Sequence, residues 1–149
     1  MTASLREQFS DSTLRARVLD DALQVLDAEV ASKSGLSGMA IKATFGIVKG
    51  IGAGFLRTVL DKLFDDFIGC FEEPYQRAVQ AGKSPGAFVA EEKTTIAGRL
   101  LGITDERVRR AGSGAILKAY EKLRPAAQKH VEDAAPRLGG LLDRHAKRS

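Results

Sequence analysis

The chain has 149 residues, of which 44% are hydrophobic and 28% charged, with a formal net charge of +4 and one cysteine. A chain of this length fits one domain that buries roughly 68–70% of its unfolded surface. The composition excludes a disordered polymer, a collagen-like repeat and a disulfide scaffold. Cys70, being alone, permits no intrachain disulfide and is expected as an inert packed thiol in a reducing cytoplasm.

The opening "MTASLREQFSDS" carries Arg6 and Glu7 and has no apolar core, so it does not read as a signal peptide. Residues 1–10 and 146–149 are expected to fray. Asp11 or Ser12 caps a first helix to about Ser32, with Leu14, Val18, Ala22, Val25 or Leu26, and Val30 on one face. "SKSGLSG" ends it: Gly35 supplies a left-handed C-cap, Leu36 folds back on the last turn, and Ser37 caps a second helix to about Gly50. On that helix Ala43, Gly46 and Gly50 share a side that should admit a neighbouring helix closely. Ile41, Phe45 and Val48 lie opposite, with Lys42 and Lys49 between. Its apolar window falls short of the ~20 residues a membrane span requires.

The third helix, about 55–73, has the clearest pattern. Leu56, Val59, Leu60, Leu63, Phe64, Phe67, Ile68 and Phe71 recur at steps of three and four, leaving half the circumference apolar. It should be the centre of a bundle, kinked or restarted at Pro74 before Gly82. Ser84-Pro85 opens a helix to about Leu101 through Phe88, Val89, Ile96 and Leu100. A short helix from Thr104-Asp105 stops at Gly112–Gly114. Another spans Ala115 to Arg124, and Pro125 begins a last one, kinked at Pro136 and ending near His145. Two-residue alternation is nearly absent. The expected fold is all-α, a single-domain bundle of six to seven helices.

The segments "EVASKSGLSGMAIK", "LDKLFDDFI" and "KAYEKLRPAAQKHVEDAAPRLGGLLDRH" resemble a family of small bacterial proteins known as a domain of unknown function. The resemblance spans most of the chain and implies an all-helical bacterial protein. It implies no activity, ligand or site residue.

Candidate sites are few. "GIVKGIGAGF" has Gly50, Gly52 and Gly54 at alternate positions, but Phe55 stands where a dinucleotide fingerprint needs its third glycine, and no βαβ unit surrounds it. "GKS" at 82–84 lacks the P-loop's earlier glycine, since Arg77 sits there. His130 and His145 are the only histidines, and neither belongs to a Glu-x-x-His pair; His130 with Asp133 reads as a surface contact. The acids Asp65, Asp66, Glu72 and Glu73 read as solvated carboxylates, with Asp66 nearest the apolar edge.

Two binding readings remain. From Leu100 onward, 11 basic residues face 6 acidic ones. There a helix-turn-helix outline over 104–124 offers Arg107, Arg109, Arg110, Lys118, Lys122 and Arg124 to phosphates, without Asn or Gln to read bases. The other reading leads: a non-enzymatic cytoplasmic protein, needing no cofactor or metal. It would hold a protein partner or an apolar, lipid-like molecule in an interhelical groove beside Phe64, Phe67, Phe71 and Phe88.

Overall fold

In the computed structural model, residues 3–52, 54–111 and 114–146 are described, and among them are eight helices and no strand. They are α1 (Leu5–Gln8), α2 (Ser12–Ser32), α3 (Gly35–Gly50), α4 (Phe55–Ala81), α5 (Pro85–Glu91), α6 (Lys93–Ala111), α7 (Gly114–Asp133) and α8 (Ala135–His145).

The apolar half of α4 dictates the arrangement. This helix packs against α1, α2, α3, α5 and α6, while α8 closes the bundle over α2 and α5. Phe64, Ile68, Phe71 and Tyr75 of α4 are buried, as are Val18 and Leu19 of α2, Val89 of α5, Ile96 of α6 and Leu142 of α8. Pro74 neither ends nor restarts α4. It is buried inside a helix that runs on to Ala81, where Gly82 takes the left-handed conformation (φ 68°) and donates to Val79 O. The Asp11 cap forms as expected, its carboxylate accepting from Leu14 N at 2.9 Å.

Several boundaries differ from the sequence expectation, each for a local reason. Residues 5–9 pack on the bundle: Leu5 and Phe9 are 0% and 2% exposed, and Leu5 N donates to the Glu72 carboxylate at 2.9 Å. Ala146 is buried as well, whereas residues 147–149 lie outside the described ones. Gly35 is left-handed (φ 73°), but α3 starts there rather than after Ser37, and Leu36 turns outward at 88% exposure. The helix expected to reach Leu101 breaks at Glu92 (φ −108°, ψ 21°), and Thr104 and Asp105 fall inside α6. α7 runs straight through Pro125. The break falls at Ala134 instead, which places Pro136 in the first turn of α8, where its missing N–H costs nothing.

Glycine makes the tightest crossing, though not where the sequence pointed. Ala43, Gly46 and Gly50 are exposed, and a Cβ on either glycine would meet open space, so among the described residues no helix packs on that side. The close approach is between α5 and α8. A Cβ on Gly139 would lie 2.9 Å from Gly86 Cα, while Gly86 N donates to Asp143 Oδ1 at 2.9 Å. Gly139→Ala should therefore destabilise by roughly 1–3 kcal/mol through overpacking. Gly46→Ala should stabilise by about 0.5–1 kcal/mol, because an exposed helical glycine gains only restriction of the unfolded chain. Urea unfolding of both variants checks the opposite signs.

Candidate ligand cavity

Between α4 and its neighbours lies a cavity of about 350 Å³. α4 contributes Leu60, Phe64, Phe67, Ile68 and Phe71; α2 contributes Val18, Ala22, Val25, Leu26 and Val30. Ile41 of α3, Leu100 and Leu101 of α6, Val131 of α7, and Leu138 and Leu141 of α8 complete an almost wholly apolar wall. Phe64 is fixed from behind. The Phe9 ring lies 6.1 Å from it in a tilted pair, and the Arg15 guanidinium sits 4.4 Å over its face while pairing with Asp61 and Asp65.

Of the four phenylalanines singled out in the sequence, Phe64, Phe67 and Phe71 line this cavity. Phe88 does not. The break at Glu92 makes α5 a separate short helix packed on α4 and α8, where Phe88 lies beneath the Lys83 ammonium, 5.6 Å from the ring centre.

One polar cluster touches the cavity. Glu29 is 8% exposed, the only charged residue buried among those described. It accepts from Lys33 Nζ at 3.2 Å and from Arg137 Nη1 at 2.6 Å, so its charge is matched. Lys33 Nζ also donates to His130 O at 3.4 Å and lies 3.9 Å from Asp133 Oδ2. His130 makes no hydrogen bond to Asp133; its Nδ1 is buried without a partner among the described residues. Burial, and then the Lys33 charge, hold its pKa below the ordinary 6.5, so the ring is neutral at pH 7. Thr104, on the opposite wall, is already engaged. Its hydroxyl meets Tyr120 Oη at 2.8 Å, in a chain running on through Asp105 to Arg124. Asp105 is held below the usual carboxylate range mainly by the Arg124 hydrogen bond.

Glu29 and Lys33 were missed as site residues. Yet Val18, Ala22, Val25 and Glu29 follow one helical stripe, so a carboxylate in the apolar register was the available signal.

The remaining candidates do not assemble. His145 Nε2 lies 2.9 Å from Asp21, which Arg144 also binds, and no group of His, Cys, Asp and Glu suited to a metal occurs among the described residues. Asp66 is exposed. Cys70 is buried, and burial pushes its thiol pKa up, as an inert packed thiol requires. Gly52 and Gly54 lie in a turn between two helices, and Gly82 caps α4, so neither glycine segment follows a strand.

The helix-turn-helix outline becomes something else. α6 and α7 run antiparallel along their lengths, tied by Thr104–Tyr120, Asp105–Arg124 and Thr94–Gln128 contacts. This is a long hairpin, not two short helices at a steep angle. Gly112 and Ser113 of the expected turn lie outside the described residues. Arg124 is paired with Asp105, and Arg109 and Arg110 with Glu106, whereas Arg107, Lys118 and Lys122 are exposed. Arg107 and Arg110 border a wide polar depression of about 630 Å³ with Lys62, Arg99, Asp66 and Glu106.

The described residues form an all-helical bundle with an apolar, partly open pocket between its helices. The chain belongs to a family of unknown function, DUF6918, whose model matches residues 5–146. No curated protein and no solved structure matches it. Among the described residues no single helix is long and apolar enough to cross a membrane.

Two measurements bear on this site. The neutral ring of His130 contributes stability that is complete above about pH 6.5, the unfolded value, and lost as pH falls through the lower folded one. The melting temperature should drop between pH 7.5 and 5.5, and drop less in His130→Asn; Asp21 and Asp105, whose pKa values are lowered, lose their contribution only below 3.8. Second, labelled duplexes of different sequence should bind weakly and alike, with affinity falling steeply with salt, because only phosphate contacts are on offer. Titration at several salt concentrations reads this directly.

Proposed function

We propose that the protein binds an apolar small molecule in the cavity beside Phe64, Phe67 and Phe71, without catalysing a reaction. The observation that carries this reading is the cavity itself, about 350 Å³ of space walled by aliphatic and aromatic side chains in a folded core. Its size lies within the roughly 300–1,000 Å³ range of small-molecule sites. Its walls are mostly hydrocarbon, which gives water little to hydrogen-bond and an apolar ligand much to contact.

The polar cluster narrows the ligand's chemistry. Lys33 and Arg137 are already neutralised by Glu29 and Asp133, so an added carboxylate would bring an unmatched charge. His130, neutral and with Nδ1 unpartnered, suits an uncharged head instead. The ligand is an extended apolar body with one small neutral polar group, such as a long-chain alcohol. A bulky protein segment would not fit this volume.

A series of straight-chain alcohols titrated calorimetrically tests the reading. Each added methylene buries about 0.8 kcal/mol, so affinity should rise roughly fourfold per carbon and then level off once the space is full. The carboxylate of equal length should bind more weakly at pH 7.5. Val25→Phe, which fills the cavity, should weaken binding at least tenfold while the protein stays folded. A flat series, or full binding by a folded Val25→Phe, would refute the proposal.

A further inference from the structure

The large hydrophobic side chains that stand exposed among the described residues all fall in one segment: Leu36 at 88%, Met39 at 67%, Ile47 at 51% and Ile51 at 47%. On a wheel of about 100° per residue, Leu36, Met39, Ala40, Ala43, Ile47 and Gly50 occupy one arc of roughly 120° on α3. All six are exposed. The opposite arc, Gly38, Ile41, Phe45 and Val48, faces the bundle, and Ile41 lines the cavity. Thus α3 is apolar on two faces. Lys42 and Lys49 divide them along one side, and Ser37 and Thr44 along the other.

We infer that the outer face of α3 docks on an anionic lipid surface. Charge is the first argument. Positions 30–60 contain no Asp or Glu; Lys33, Lys49 and Arg57 there pair with acids outside that stretch, and Lys42 stands exposed with no ion pair among the described residues. An apolar helix face edged by lysine, without acidic residues, suits the interface of a bilayer carrying negative headgroups. Area is the second. Sixteen residues give a helix about 24 Å long, and about 10 Å of width leaves a footprint near 240 Å². A stable protein interface needs about 800 Å² per partner, so this face alone is too small to hold a second copy. The same ~24 Å is shorter than the ~30 Å hydrocarbon core, so the helix lies in the surface and does not span it. Position adds a third argument. The helix that would touch the lipid also contributes Ile41 to the wall of the cavity.

Co-sedimentation of the full chain with vesicles tests this. Binding is expected to vesicles of phosphatidylcholine mixed with phosphatidylglycerol, weaker binding to phosphatidylcholine alone, and a decline with salt. Ile47→Glu combined with Met39→Glu should lower partitioning at least tenfold, while leaving the circular dichroism spectrum and alcohol binding in solution unchanged. Lys42→Glu should lower it about fivefold or more on the mixed vesicles only. Vesicle binding equal in wild type and the double variant would overturn the inference, as would none to either lipid. A wild-type dimer in sedimentation that the double variant dissolves would overturn it too, making the face an interface between copies. Alcohol binding in solution is measured without vesicles, so failure of the cavity reading remains a separate result.

Discussion

The bundle depends on burying one wide apolar surface. Half the circumference of α4 is hydrophobic, more than a single neighbour can cover, so α1, α2, α3, α5 and α6 all gather on it. Burial of that surface also fixes the charged residues at its margin. Arg15 stacks on Phe64 and holds Asp61 and Asp65, and Glu72 satisfies the Leu5 backbone N–H at the other end. These exposed pairs contribute little each, typically 0–1 kcal/mol. Their effect is to fix rotamers around a core that is already buried.

The cavity follows from the same surface. Rings at Phe64, Phe67 and Phe71 project from one helix, while aliphatic side chains from α2, α6 and α8 meet them across a gap. Close-packed interiors do not tolerate such gaps without cost. At the margin, α8 is clasped to α2 at two separated points: Arg137 on Glu29, and Arg144 with His145 on Asp21.

Much of this was legible in the sequence because helical periodicity reports which face is buried. It showed the first helix and its Asp11 cap, the central helix, and the three phenylalanines that line the cavity. Failures came where periodicity is silent. "VAEEKTT" breaks at Glu92 with neither glycine nor proline to mark it, and that break removed Phe88 from the site. Gly46 and Gly50 were read as a packing surface because small residues at i and i+4 permit close approach. Permission is not contact, and the neighbour is absent. The prolines misled in the opposite direction. Pro74 and Pro125 both sit within continuous helices, and at the buried Pro74 tertiary packing outweighs a local penalty of about 3 kcal/mol.

The clasp between α2 and α8 has a consequence for the chain as it is made. Glu29 meets Arg137 across 108 positions, so one wall of the bundle is synthesised long before its cover. At about 5–20 residues per second, α2 waits on the order of 5–20 s for α8. Throughout that interval Val18, Val25 and Leu26 have nothing of α8 to pack against, and Glu29 lacks its arginine. Until α8 emerges, that apolar face of α2 stands without this cover, so the α2–α8 contacts are among the last long-range ones the chain can make.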